Sequence, residues 1–168
     1  MREILRTVDY LDEQLADLDT PGAIVGVGVA GSGKTTILAE YAKKMDILRV
    51  SPDEIRERMG GDYRETNAAV WAEAHQQLQN QLYNGESVIV DATNTYPEYR
   101  QDTIRDLRTW GAAAVAAVVF RTPVAIAKQR NALRENPIPE ADIDKMNTRL
   151  QAHPPTVEEG FDRLVFMP

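Results

Sequence analysis

The chain has 168 residues, of which 43% are hydrophobic and 27% are charged, and it contains no cysteine. This length predicts one domain, and this composition predicts a folded globular protein rather than a disordered or repetitive chain. The lack of cysteine excludes disulfides, thiolate nucleophiles and Cys-ligated zinc. The two histidines, His75 and His153, are far apart in the sequence, which argues against a histidine metal site.

The formal net charge of −7 argues against a surface that binds nucleic acid through bulk electrostatics. The segment from Arg121 to Arg134 is different, because it carries only basic charged residues. The longest mainly apolar run, residues 111–120, is far shorter than the ~20 residues that span a bilayer. The first residues also lack the apolar core of a signal peptide. We therefore expect a cytoplasmic protein with no membrane partner.

Residues 2–18 carry apolar side chains at spacings of three and four, which predicts an amphipathic helix that Thr20-Pro21-Gly22 ends. We interpret residues 1–22 as an N-terminal helical extension. Such a helix either covers an edge of the core or serves as a docking or oligomerisation element for a protein partner. We favour the first interpretation.

The rest of the chain, residues 23–168, alternates between predicted strands and predicted helices. Short apolar runs predict strands at residues 23–29, 47–50, 87–90, 113–120 and 164–166. Helical patterns follow Gly33 and cover residues 52–59, 67–84, 97–110, 123–134 and 141–150. Because strands joined by helices form right-handed crossovers, we predict an α/β fold with a mostly parallel five-stranded sheet and helices on both faces.

A glycine-rich loop follows the first predicted strand. Residues Gly28 to Thr35, GVAGSGKT, match the pattern G-x-x-x-x-G-K-[ST]. In such a loop the backbone N–H groups point inward, and the next helix presents its positive end to a phosphate. The lysine reaches the terminal phosphates and the threonine ligates Mg²⁺. We therefore predict a nucleoside triphosphate site in which Lys34 binds phosphate and Thr35 binds magnesium.

This loop alone does not distinguish a switch, a motor and a phosphotransferase. A GTPase switch carries N-K-x-D and D-x-x-G, and neither pattern is present. An AAA-type motor carries a strand that ends in Asp-Glu, whereas the corresponding strand here ends Val90-Asp91-Ala92. A small kinase fits the length and leaves room for an acceptor.

Residues 51–56, SPDEIR, follow the second predicted strand at the edge of the sheet where ligands bind in open α/β folds. One interpretation is structural: Ser51 caps the helix and Glu54 completes a capping box. The other is catalytic: Asp53 accepts the proton of an acceptor hydroxyl, and Arg56 contacts an acceptor phosphate. The motif leaves both open.

The third predicted strand runs into Asp91-Ala92-Thr93-Asn94 at the same edge. Asp91 is in the position of an acid that supports Mg²⁺ through Thr35 or water. The alternative is a turn formed by the Asp, Thr and Asn side chains. Polar residues after three strands on one edge favour a binding site.

Arg130 and Arg134 are spaced so that they share one face of the predicted helix. A solvated charged face is the usual explanation of such a pair. Here the helix leads into a predicted hinge at residues 135–139, so residues 130–150 also fit a lid that carries arginines over the phosphates. Arginines in that place stabilise the charge of the transition state.

These pieces resemble the P-loop polynucleotide kinases, both the bacteriophage enzyme and the kinase domains of bacterial and animal end-healing enzymes. The matching segments are GVAGSGKTT at 28–36, SPDEIR at 51–56, VIVDATN at 88–94 with Pro97 and Arg100 after it, RNALR at 130–134, and HPPTVEEGFD at 153–162. The resemblance runs from about Ala23 to the end of the chain. It implies the three-layer P-loop kinase fold with a helical lid, and ATP-dependent phosphorylation of the 5′-hydroxyl end of RNA or DNA.

The resemblance also implies roles for individual residues. Asp53, Lys34 and Arg134 would be catalytic, with Asp53 as the general base. ATP would be bound by Gly28, Ala30, Gly31, Ser32, Gly33, Lys34, Thr35, Thr36, Arg130 and Arg134. The acceptor would be bound by Asp53, Arg56, Thr93 and Asn94, and Mg²⁺ by Thr35 and Asp91.

The chain departs from that family in three places. Ala92 replaces a polar residue that often stands before the Thr-Asn pair, and the helix at 2–18 has no counterpart. A phosphatase partner domain carries D-x-D-G-T, whereas Lys145 follows Asp142-Ile143-Asp144 here, so we expect no phosphatase activity. Two alternatives stay open: a kinase of a small-molecule hydroxyl, and a nucleotide-dependent binding or regulatory module.

Overall fold

A five-stranded sheet forms the centre of the structure, a computed structural model that describes residues 1–61 and 68–168. The strands are β1 (Gly22–Val27), β2 (Leu48–Val50), β3 (Val88–Val90), β4 (Ala114–Phe120) and β5 (Arg163–Met167). They lie in the order β2-β3-β1-β4-β5, and all of these neighbours are parallel. The predicted α/β fold is confirmed, and the described sheet is parallel throughout.

Helices cover both faces of the sheet. They are α1 (Arg2–Leu15), α2 (Lys34–Met45), α3 (Pro52–Arg58), α4 (Ala68–Tyr83), α5 (Pro97–Thr109), α6 (Val124–Ala132) and α7 (Glu140–Ala152), with a 3₁₀ turn at Val157–Glu159. The predicted start of α4 at Asn67 lies outside the described residues. None of the helices within residues 1–61 and 68–168 is long and apolar enough to cross a bilayer.

The central strands are buried on both faces because successive side chains point to opposite sides of the sheet. In β4, Val115, Ala117 and Val119 join the core beneath α4 and α5. The alternate residues of the same strand, Ala116 and Val118, join the core beneath α1 and α2. This is why the sequence of the strand is continuously apolar rather than alternating.

The N-terminal helix α1 packs against α2 and the edge strand β5. Its apolar face is buried, with Val8, Leu11 and Leu15 in the core that α2 covers. The ammonium group of Lys44 on α2 lies 2.9 Å from a carboxylate oxygen of Asp9 and 2.8 Å from one of Asp12. The apolar stripe that the sequence shows is therefore used within the chain.

The fully buried side chain of Arg100 ties three segments together. Its guanidinium Nε and Nη2 donate to the two carboxylate oxygens of Glu159 at 2.9 and 2.5 Å. Nη1 donates to the carbonyl of Asn94 at 3.0 Å, and Nη2 also donates to the carbonyl of His153 at 2.8 Å. Helix α5 is thus linked to the loop after β3 and to the C-terminal segment.

Removal of one partner from this ion pair leaves the other buried and uncompensated. We expect Glu159→Gln to lower the free energy of unfolding by about 3 kcal/mol, as breaking buried pairs does in other proteins. The measurement is urea denaturation near pH 7. The matched control is Glu158→Gln at the exposed neighbouring position, expected to change the free energy by less than ~0.5 kcal/mol. Equal midpoints for the two variants would contradict this assignment.

Candidate active site

The P loop, residues 28–35, connects β1 to α2 at the carboxyl edge of the sheet. It takes a conformation that requires glycine at two positions, since φ is +82° at Gly31 and +93° at Gly33. A Cβ atom on Gly31 would lie 2.2 Å from the carbonyl oxygen of Ala127 on α6, so space also demands glycine there. Gly33 directly precedes α2, whose first N–H groups face the loop.

Lys34 is the buried cation of the P loop. Its ammonium group donates to the carbonyl oxygens of Gly28 and Val29 at 2.8 and 2.9 Å, and to the Ser32 hydroxyl at 3.3 Å. Burial lowers the pKa of Lys34 from 10.5 to about 8, although the charges of Asp91 and Asp53 raise it. A negatively charged phosphate nearby would strongly favour the charged form of a lysine in this environment.

A cavity of about 320 Å³ opens over the P loop. Its walls come from the P loop, the start of α3, the loop after β3 and the α6–α7 hairpin, namely Ala30, Gly31, Ser32, Gly33, Lys34, Thr35, Thr36, Asp53, Asp91, Ala92, Thr93, Arg130 and Arg134. The predicted site residues that do not line it are Gly28, Arg56 and Asn94. Parallel strands that end at one edge bring these segments together, as expected for an open α/β sheet.

Asp53 lies in the first turn of α3 and faces this cavity. The Ser51 hydroxyl accepts a hydrogen bond from the N–H of Glu54 at 3.3 Å, which caps the helix. The structural and catalytic interpretations of this segment are therefore compatible, because Ser51 makes the cap while Asp53 stays 66% exposed. A hydroxyl group from solvent can reach the Asp53 carboxylate.

Arg56 lies one turn further along α3 and binds Asp53. Its Nη1 donates to Oδ1 of Asp53 at 2.6 Å, and its side chain is only 8% exposed. The structure places Arg56 beside Asp53 and outside the cavity lining, and its predicted contact with an acceptor phosphate stays a prediction. In this position Arg56 orients the carboxylate.

Asp91 lines the cavity at the end of β3, but its charge is already paired. Its Oδ2 accepts from Nη1 of Arg49 at 2.6 Å, and Nη2 of Arg49 lies 2.6 Å from a carboxylate oxygen of Glu54. Burial works to lower the pKa of Arg49, but Glu54 and Asp91 raise it above its ordinary value. Sequence analysis missed Arg49, although a charged residue in the short apolar strand β2 is a signal that could have identified it.

The donors needed for a magnesium ion are present beside Lys34. The Thr35 hydroxyl and the Asp91 carboxylate both line the cavity, and Mg²⁺ prefers such oxygen ligands. Within residues 1–61 and 68–168 no cluster of three His, Asp or Glu side chains could hold a metal. Mg²⁺ is usually bound through one or two protein carboxylates together with substrate phosphates and water. The residues present fit that ion.

Asn94 and Thr93 hydrogen-bond to the end of β1 and to the start of the P loop. Its side-chain amide donates to the carbonyl of Gly26 at 2.7 Å, and its backbone takes a positive φ of 48°. The neighbouring carbonyl of Thr93 accepts from the N–H of Gly28 at 3.0 Å. Thr93 lines the cavity where an acceptor contact is predicted, whereas Asn94 is engaged with backbone, and its predicted acceptor contact stays a prediction.

The predicted lid is a hairpin formed by α6 and α7. Asn131 shapes its turn, since its buried amide exchanges hydrogen bonds with the backbone of Ile138 at 2.7 and 3.1 Å. Helix α6 consequently ends at Ala132, so the prediction that Arg130 and Arg134 share one helix face is wrong. Arg134 lies in the turn beyond the helix, yet both arginines line the cavity.

Comparison with known proteins agrees with this fold. A family model described as an AAA domain matches residues 24–153. A chain in the structure of the Pnkp1/Rnl/Hen1 RNA repair complex superimposes with a TM-score of 0.72 at 25% identity, covering 88% of this chain and 49% of that one. The present chain thus spans about half the length of that relative.

Two small-molecule kinases share the fold at lower identity. A gluconokinase from Sinorhizobium meliloti 1021 has a TM-score of 0.57 and 19% identity, covering 88% of this chain and 82% of its own. Shikimate kinase from Acinetobacter baumannii has a TM-score of 0.53 and 18% identity, covering 90% and 86%. The chain therefore belongs to the AAA domain family of P-loop proteins, and its fold is that of P-loop kinases.

Proposed function

We propose that the protein is an ATP-dependent kinase that transfers the γ-phosphoryl group to the 5′-hydroxyl end of RNA or DNA. The observation that carries this proposal is the position of Asp53. Its carboxylate faces the same cavity as Lys34 and the two lid arginines, so a hydroxyl held by Asp53 would meet the terminal phosphate. A protein that only binds a nucleotide has no need of that carboxylate.

The proposed reaction is an in-line displacement. The Asp53 carboxylate accepts the proton of the acceptor hydroxyl, and the hydroxyl oxygen forms a bond to the γ-phosphorus as the bond to the β-phosphate oxygen breaks. Lys34, Arg130 and Arg134 offset the negative charge on the phosphoryl oxygens. Bound Mg²⁺, held by Thr35 and supported by Asp91, would neutralise charge on the β- and γ-phosphates.

The two acidic groups of the cavity have different surroundings, which supports different roles. Asp91 is almost fully buried and paired with Arg49, so its carboxylate is held in one position. Asp53 is exposed to the acceptor side, and Arg56 holds one of its oxygens. A fixed charge suits support of a metal, and an accessible carboxylate suits a base.

A polynucleotide acceptor is supported by the order and spacing of the motifs and by the likeness to a chain of an RNA repair complex. The second candidate is a small-molecule hydroxyl. It is favoured by the gluconokinase and shikimate kinase likenesses, which extend over more than four-fifths of those chains, 82% and 86%. The acidic net charge of −7 favours it too.

We expect Asp53→Ala to slow label transfer from γ-labelled ATP to a 5′-hydroxyl oligonucleotide by about 10²- to 10⁴-fold, the usual contribution of a general base. Binding of ATP should be retained, because the P loop is unchanged. The matched control is Glu57→Ala, at an exposed position of the same helix. Transfer at the wild-type rate by Asp53→Ala would contradict the assignment of the base.

The acceptor class is tested with one preparation of wild-type enzyme and a panel of hydroxyl compounds. We expect label in a 5′-hydroxyl oligonucleotide and in a nucleoside 3′-monophosphate, and none in gluconate or shikimate. Transfer to a sugar acid alone would establish the second candidate. ATP hydrolysis or binding without transfer to any acceptor would favour a regulatory module.

The pKa of Lys34 predicts how nucleotide affinity depends on pH. In the free site this pKa is about 8, and a bound phosphate raises it, so binding above pH 8 takes up a proton. Affinity for ATP should therefore be steady below pH 8 and fall by up to about tenfold per pH unit above it. Titration with a fluorescent ATP analogue between pH 7 and 10 measures this slope. Lys34→Met should bind weakly and lose the slope, whereas an unchanged slope would assign it to another group.

A further inference from the structure

Two exposed tyrosines stand at the start of α5, which follows the loop whose Thr93 lines the cavity. Tyr96 is 43% exposed and Tyr99 is 63% exposed, and their ring centroids are 4.9 Å apart. The guanidinium of Arg149 lies over the ring of Tyr96, with its central carbon 3.6 Å from the ring centroid. Arg149, Tyr96 and Tyr99 thus form a continuous array of flat groups, which we call the aromatic array.

Buried contacts hold the aromatic array in place. Nη1 of Arg149 donates to the hydroxyl of Thr95 at 2.7 Å, and Thr95 is itself buried. The fully buried Arg100 holds the same loop through the carbonyl of Asn94. Large exposed aromatic groups that are fixed in this way lose little conformational freedom when a ligand stacks on them.

The aromatic array lies within a short reach of the proposed reaction centre. Thr93 lines the cavity, and Thr95 and Tyr96 follow it in the chain. From Thr93 to Tyr96 the chain advances three residues, which span at most ~11 Å, about three stacked nucleotides at ~3.4 Å each. An acceptor strand that leaves the cavity along this loop therefore meets the aromatic array within its first four nucleotides.

Basic side chains surround the aromatic array. Arg149 lines a shallow groove on α7, together with Asp144, Lys145, Thr148, Ala152 and His153. Asp144 is paired, since its Oδ1 lies 2.7 Å from the ammonium group of Lys128. Among the residues that line this groove, Lys145 and Arg149 are basic and Asp144 is acidic, although the whole chain carries −7. This local balance suits a phosphate backbone.

We propose that the aromatic array and Lys145 bind the nucleotides that follow the reacting 5′ end of a single-stranded acceptor. A base stacks on the exposed ring of Tyr99, and Arg149 and Lys145 contact the adjoining phosphates. Stacking of bases on aromatic rings in a basic groove is the general mode by which single strands are held. This inference rests on the proposed function and specifies how the enzyme prefers a polynucleotide to a short acceptor.

The test compares a nucleoside 3′-monophosphate with 5′-hydroxyl oligonucleotides of two to eight nucleotides as acceptors. We expect Tyr99→Ala to raise KM for the longer oligonucleotides by about 5- to 100-fold, the range expected when stacking of one base is lost. Its KM for the nucleoside 3′-monophosphate, its KM for ATP and its kcat should stay at wild-type values. Tyr99→Phe, which keeps an aromatic ring, should show the wild-type KM for the oligonucleotides.

The matched control is Tyr83→Ala, because Tyr83 is a tyrosine of almost equal exposure, 62%, on the distant end of α4. A second readout places 2-aminopurine at each of the first four positions of the oligonucleotide. Its fluorescence should be quenched on binding at one or more of these positions, and Tyr99→Ala should abolish the quenching.

The outcomes separate this inference from the proposed function. Suppose that the nucleoside 3′-monophosphate is labelled, that KM does not fall as the acceptor becomes longer, and that Tyr99→Ala has no effect. This result would overturn the proposed role of the aromatic array and leave the kinase assignment intact. An equal rise in KM for short and long acceptors in Tyr99→Ala would overturn this role as well, since a merely structural effect of the substitution predicts that result. No label in any nucleotide would overturn the proposed function itself.

Discussion

The site depends on the hydrogen bonds between the end of β1 and the loop after β3. The N–H of Gly28 donates to the carbonyl of Thr93, and the side chain of Asn94 donates to the carbonyl of Gly26. These bonds fix the phosphate loop and the loop after β3 at one spacing. The position of β1 between β3 and β4 makes them possible, because both neighbours deliver their following loops to the same edge.

Several basic side chains lie at this edge of the sheet. Lys34, Arg49, Arg130 and Arg134 surround the cavity or its acids in a chain whose net charge is −7. The ammonium group of Lys34 donates to loop carbonyls, and Asp91 is paired with Arg49. A cleft with basic walls inside an acidic protein concentrates the local field on an anionic ligand. The acidic exterior and the anion site are therefore consistent with one another.

The fold was predictable because its signals are local. A continuously apolar run such as residues 114–120 requires burial on both faces, and the glycine-rich loop at 28–35 fixes where the first strand ends. The sequence also predicted that Asp53, Thr93 and Lys34 would meet at one edge, because parallel strands end there. This part of the site follows from topology alone.

The parts that were not predictable depend on side chains far apart in sequence. The end of α6 is set by the amide of Asn131 folding back on Ile138, and a helical spacing rule cannot see that contact. The ion pair of Arg49 with Asp91 spans 42 positions of the chain. The motifs predict acceptor contacts for Arg56 and Asn94, but they do not reveal that Arg56 donates to Asp53 and Asn94 to the backbone of β1.

The contact between Gly31 and the carbonyl of Ala127 has a mechanical consequence. The backbone of the phosphate loop touches the backbone of α6 with no side chain between them, so there is no soft layer to absorb a displacement. A shift of either segment by a fraction of an ångström is passed directly to the other. A displacement of the hairpin that carries Arg130 and Arg134 would therefore also displace the phosphate loop.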